Sequence, residues 1–362
     1  MTDATITALG GRLTWADAVP DFAATVVAGS VLSLSVSIDG RELVALRLTA
    51  DASGRVSAVL ADMLDEECRR LTVGVHTLRL DASGTVQTGR PQVAESVSIP
   101  LLHRTRSFAS APEEFAATHF MTLAERLYLR PGERMQLPML LLPGEKVTMT
   151  QRTFYRQPDG TLGDTGEVVT ARDVQSGGYV TSYPVYADMR AATVPQGCVP
   201  LLTSVRAGRR RIDVYALPEG NSQFSFLNEF GFSEWLCCTA SVSRKNTVKA
   251  QLTLIGRQLR DYDRESVVEY TAQFSPMGPV EVSRLEAMAE SGSVTWKELR
   301  SDGSWSAAQR IRIASAELTG DPDPDQAVTP KLTFRLAAPV RPWDWPEVSG
   351  RIHSAQFSEP YD

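Results

Sequence analysis

The chain has 362 residues, a length that suits two or three domains rather than one. At 43% hydrophobic and 22% charged it has ordinary globular composition. Its net charge of -6 argues against a general phosphate- or nucleic-acid-binding surface, and no apolar run approaches the ~18 residues of a membrane-spanning helix.

Residues 1–108 read as strands joined by short turns. Val31–Ile38 alternates apolar and small polar residues and ends at Asp39-Gly40, a strong hairpin signal. Glu42–Leu48 returns from that turn. Asp51-Ala-Ser-Gly54 and Asp81-Ala-Ser-Gly84 share one composition and are both expected to be turns. Ala61–Leu71 is the one helical pattern here, with Glu66 and Glu67 opposing Arg69 and Arg70. The segment is expected to be a sandwich of about seven strands. Residues 109–117 mix Ser, Ala, Pro and charge without a period and read as a linker.

A middle domain is expected over 118–218. Pro131-Gly132, Pro143-Gly144, Pro158-Asp-Gly160 and Gly177-Gly178 mark its turns, and Val205–Tyr215 closes it as a strand. A C-terminal domain follows over 219–340. Thr247–Ile255 places Val248, Ala250, Leu252 and Leu254 on one face, and Ser266–Phe274 is a further strand. Val280–Ala289 is compatible with a short helix, and Asp302-Gly303 marks a hairpin. The 341–362 tail sets Trp343 and Trp345 among prolines, as a docked extension or a partner arm. The fold class is mainly β: two to three tandem β-sandwich modules, Ig-like or related, with one or two short helices.

No catalytic constellation emerges. His76, His103, His119 and His353 are scattered, and nucleophile, phosphate-loop and dinucleotide motifs are absent. Cys68, Cys198, Cys237 and Cys238 form no C-x-x-C pair, which leaves zinc and redox chemistry unsupported. Neighbouring Cys237 and Cys238 should point to opposite faces of a strand. Asp321, Asp323 and Asp325 alternate with prolines, which stiffen the loop against curling around calcium. No cofactor or metal is expected. Arg206, Arg209, Arg210 and Arg211 are too few for a nucleic-acid face; edge protection or a charged inter-subunit contact fits them better.

The most aromatic stretch is Gln223–Ala240, with Phe224, Phe226, Phe230, Phe232 and Trp235 around an Asn228–Gly231 turn. It admits three readings: sheet core, inter-subunit contact, or sugar-stacking platform. The candidate interaction residues are Phe230, Phe232 and Trp235, together with Trp343 and Trp345 in the tail.

Phe226-Leu-Asn-Glu-Phe-Gly-Phe-Ser-Glu-Trp-Leu-Cys-Cys-Thr resembles a signature of uncharacterised β-rich proteins of phages and prophages from gut anaerobes. Ala287–Trp296, the strands from Trp305 onward and Phe120-Met-Thr-Leu are similar to further segments of those proteins, so that the resemblance spans about 118–338. Ala240 departs from it where the family has Gly. The resemblance implies a non-enzymatic tail- or baseplate-type virion component, assembling with itself or with other virion proteins. Such a protein is made in the bacterial cytoplasm without a secretion signal, and the opening residues lack a basic and an apolar leader region. The alternative is a carbohydrate-binding or cell-surface adhesion module, with Trp343 and Trp345 as the stacking residues.

Overall fold

The computed structural model describes residues 5–6, 11–68, 74–85, 91–105, 110–180, 185–190, 193–255, 258–318 and 327–337. The fold is mainly β, as expected, with five sheets and three α-helices among the described residues. The helices are α1 (Ala61–Cys68), α2 (Pro112–Thr118) and α3 (Pro279–Glu290).

A three-stranded and a five-stranded sheet enclose the first core. Leu32, Leu34, Val36 and Ile38 of the strand Val31–Ile38 all point inward, because a period of two puts alternate residues on one face. Asp39 (φ 50°) and Gly40 (φ 80°) turn that strand into Arg41–Thr49, the left-handed pair that a two-residue hairpin demands. Leu60 and Leu64, before and within α1, complete this core.

The two Asp-Ala-Ser-Gly segments diverge. At 51–54 the chain turns: Asp51 Oδ1 accepts the backbone N–H of Ser53 and of Arg55, and Gly54 holds φ +80°. A Cβ on Gly54 would sit 2.2 Å from the Val26 carbonyl oxygen. At 81–84 no turn forms. The segment runs inside the strand Val75–Thr85, paired on both sides, with Ala82 buried in the core. Cross-strand pairing overrides local turn preference there.

The middle core lies between a six-stranded sheet and the two-stranded ribbon of Arg134–Leu137 with Val185–Asp188. Val205–Tyr215 is not one strand. Gly208 (φ +62°) folds it into the hairpin of Val199–Ala207 with Arg210–Ala216. The 109–117 segment is no plain linker either. It carries most of α2, which starts on Pro112 at its first position and buries Phe115 and Ala116.

The third sheet has seven antiparallel strands, with Ser233–Cys238 at one edge and Ala240–Ile255 at the other. Helix α3 covers it, contributing Leu285, Ala287 and Met288 to its core. Thus the third core is sheet against helix rather than sheet against sheet. Trp343, Trp345, His353, Asp321, Asp323 and Asp325 lie outside the described residues.

Candidate functional site

The aromatic stretch forms a junction. Strand Ser222–Leu227 pairs with Ser233–Cys238, leaving 228–232 as the connecting loop. Asn228 organises that loop. Its Oδ1 accepts the N–H groups of Phe230 (3.1 Å) and Phe232 (3.0 Å), while Gly231 supplies the positive φ the bend requires. Its Nδ2 faces the other way and donates to the Met121 carbonyl (2.7 Å) and to Glu234 Oε2 (3.0 Å). One amide therefore closes the loop and ties it to the start of the middle module.

Glu229 and Glu234, from the loop and the strand after it, converge on Arg284 of α3. Arg284 donates from Nη1 to Glu229 Oε1 (2.7 Å), and from Nε (2.9 Å) and Nη2 to Glu234 Oε1. Thr122 donates its hydroxyl to Glu234 Oε2 at 2.6 Å. Arg284, Glu229 and Glu234 are each 3% exposed or less. Burial works against the Arg284 charge, but the two carboxylates outweigh it and hold its pKa above the usual arginine value. Glu229 Oε2 is buried without a hydrogen-bond partner among the described residues. The Glu229 carbonyl accepts the N–H of Thr105, which binds the loop to the end of the first module.

Aromatic rings surround this ionic knot. Phe230 stacks on Trp15 (centroids 5.9 Å apart) and lies 5.1 Å from Phe115 of α2. Trp15 donates its indole N–H to the Ser110 carbonyl, and the Arg104 guanidinium covers its ring while pairing with Asp17. Leu13, Leu102, Met121, Leu140 and Phe232 complete one apolar cluster drawn from all three modules. Phe230 and Phe232 are therefore core residues between modules of one chain. They are too buried to form an exposed contact.

Trp235 is half-buried and packs on the middle core, with the Lys297 ammonium 5.6 Å above its ring. As alternation predicts, Cys237 and Cys238 face opposite ways, and both are buried because a body lies on each side of their strand. Burial pushes the Cys237 thiol up to about 12 and the Cys238 thiol well above its normal value, which makes both poor nucleophiles. Between the middle module and α3 lies a cavity of about 220 Å³, lined by Tyr128, Leu236, Cys237, Met277 and Glu281. Tyr128 donates its hydroxyl to Glu281 Oε1 at 2.7 Å, and burial plus that carboxylate raise its pKa to about 12. Trp305 likewise reaches across modules to Glu133.

A second buried arginine corrects the reading of the basic cluster. Arg210 is 0% exposed. It donates to both carboxylate oxygens of Glu145 (2.6 and 2.8 Å) and to the carbonyls of Ala116 (2.6 Å) and Leu140 (2.9 Å). It thereby fastens α2 to the middle module rather than protecting an edge or meeting another subunit. Arg209 and Arg211 remain exposed.

The sequence carried a signal for both arginines. Arg210 alternates with Arg209 and Arg211, sharing its face with Ile212 and Val214. Arg284 sits one helical turn before Met288, on the buried side of α3. Nothing in the sequence paired either one with its carboxylates. Among the described residues no group of His, Cys, Asp and Glu is placed to hold a metal ion, and no helix is long and apolar enough to cross a membrane.

No protein-family model and no curated protein matches the sequence. Among solved structures, the native conformation of E. coli alpha-2-macroglobulin aligns with 75% of this chain at 6% identity and a TM-score of 0.23. The chain spans 22% of that protein's length. So low a TM-score carries no argument about fold or function.

Proposed function

We propose that this chain is a non-enzymatic assembly protein, a phage or prophage tail- or baseplate-type component that docks to copies of itself or to neighbouring virion proteins. One observation carries the reading: the chain spends its densest aromatic stretch and its Arg284–Glu229–Glu234 knot on locking three β modules into one body. A rigid multi-module body presents fixed surfaces to its neighbours, and pre-set surfaces cut the ordering cost of association. The Asn228, Phe230, Gly231 and Glu234 positions that resemble the phage signature take part in this lock. Two measurements test the proposal. Light scattering behind gel filtration should show concentration-dependent association of the purified chain. Mass spectrometry of particles induced from a lysogen encoding it should find the chain in the virion. A strict monomer absent from the particles would defeat it.

A further inference from the structure

The cavity beside Tyr128 takes its walls from two modules. On the middle module's side, Tyr128 belongs to the short strand Leu127–Leu129. Leu217 is held next to that strand by its N–H, which donates to the Leu129 carbonyl (2.9 Å). On the other side, Leu236 and Cys237 come from the edge strand of the third sheet. The link into α3 closes the space. Ser275 donates its N–H to the Thr239 carbonyl (3.0 Å), and Met277 exchanges both main-chain bonds with Val328 (2.8 and 3.0 Å). These bonds fix the path of the chain before Pro279 starts the helix. Ser275 and Pro276 line the cavity and are exposed, so it opens to solvent beside them.

Most of the lining is apolar. Leu217, Leu236 and Met277 offer hydrocarbon and thioether surface. The Cys237 thiol, kept protonated because burial raises its pKa to about 12, behaves as one more small apolar group. Glu281 is the one formally charged side chain on the wall among the described residues. Its Oε1 accepts the Tyr128 hydroxyl at 2.7 Å. Its Oε2 receives no hydrogen bond among the described residues, and it lies 3.0 Å from where a Cβ on Gly278, also in the lining, would stand. Glycine at 278 leaves that oxygen room.

Size and chemistry together select an occupant. An aliphatic cavity of about 150 Å³ holds one benzene, so 220 Å³ admits one ring with a short arm. An ammonium gives up its water only where a carboxylate replaces it, and charge-assisted hydrogen bonds are roughly twice as strong as neutral ones. We infer that this cavity is a binding site for a small primary amine with a one-ring apolar body. The ring packs against Leu217, Leu236 and Met277, and the ammonium donates to Glu281 Oε2. Because the walls belong to two modules, an occupant braces the middle module against the third.

The test is an NMR titration of the full chain, carrying methyl-labelled methionine, with benzylamine and with toluene as probes. Met277, identified by the loss of its signal in Met277→Leu, reports occupancy. The expected result is a saturable shift of the Met277 signal, with benzylamine bound at least about tenfold more tightly than toluene. Glu281→Gln keeps an acceptor for the Tyr128 hydroxyl and should bring the amine to toluene's level. A Met277 signal that neither probe moves would overturn the site. Equal binding of the two probes, or unchanged amine affinity in Glu281→Gln, would overturn the amine as its ligand. If Glu281→Gln does not fold, Tyr128→Phe decides. It leaves the carboxylate without its donor, so amine binding should hold or tighten, and a loss of about tenfold would overturn the contact with Glu281.

Discussion

Arg284 and Arg210 are both buried where modules meet, yet their surroundings differ in charge. Arg210 faces one carboxylate and two close carbonyls, and Glu145, its partner, keeps 19% of its side chain exposed. That site is neutral and lies one step from solvent. Arg284 faces two carboxylates, each 2% exposed, and one oxygen of that set has no partner among the described residues. The first site caps a carbonyl in the last turn of a short helix, a job that any helix C-terminus leaves open. The second is a surplus of buried acid held by a single cation. The difference teaches that equal burial does not mean equal consequence: what matters is what each arginine would leave behind.

The largest effect should therefore come from Arg284→Met. It strands two carboxylates in an apolar junction, and breaking a buried pair on one side costs about 3–5 kcal/mol. Urea unfolding should show this loss, with new protease sites between the modules appearing before global unfolding. Arg284→Lys should recover little, because a point-like ammonium cannot bridge Glu229 and Glu234 with the same fork. Arg210→Met should cost less, about 2–3 kcal/mol. Glu145 keeps its bond from the Leu142 N–H and has water within reach, so the main damage is to the orphaned Ala116 and Leu140 carbonyls. Equal losses in the two variants would erase the contrast between the two sites.

Glu234→Gln comes next, at about 1.5–3 kcal/mol, the range for hydrogen bonds to charged groups. Glu234 accepts from Arg284, Thr122 and Asn228 together, and an amide in its place sets an N–H₂ against donors on one side. Asn228→Ala should cost about 2 kcal/mol, since it leaves the Phe230 and Phe232 N–H groups and the Met121 carbonyl without partners. The same denaturant series ranks both. A Glu234→Gln chain as stable as the native one would show that this carboxylate is not the main anchor of Arg284.

How far this junction could be read from sequence depends on the range of the interactions that build it. The hairpin at Asp39-Gly40 was legible because its φ requirement is local. The alternation in Val31–Ile38 was legible because one buried face imposes it. Asp81–Gly84 misled because its local turn chemistry matches Asp51–Gly54. Pairing to Ser33, Ser35 and Leu34 on one side and to residues 93–96 on the other decides its conformation. The 109–117 segment misled for a related reason: α2 has seven residues, too few for a periodic signal, and Phe115 packs on Trp15 and Phe230 across the junction, contacts distant in sequence. Phe230 and Phe232 stood out by composition, but their role as internal contacts depended on where the first module lay. The partners of Arg284 are 50 and 55 residues away in sequence, and no local spacing encodes such a meeting.

The smallest effect is expected at Glu229, and it gives the sharpest test of the contrast. Glu229→Gln keeps an oxygen for Arg284 Nη1 and removes one of two formal negative charges set against one positive. It also places an amide where Glu229 Oε2 now has no partner, and an unmet donor carries its own cost. The two changes oppose each other, so stability should move by no more than about 1 kcal/mol. The informative measurement is the double-mutant cycle. On a Glu229→Gln background, Arg284→Met strands one carboxylate instead of two, so its cost should fall by at least about 1 kcal/mol relative to the native background. If the cost is unchanged, Glu229 is electrostatically idle in the junction, and the excess of acid around Arg284 has no bearing on how firmly the modules are locked.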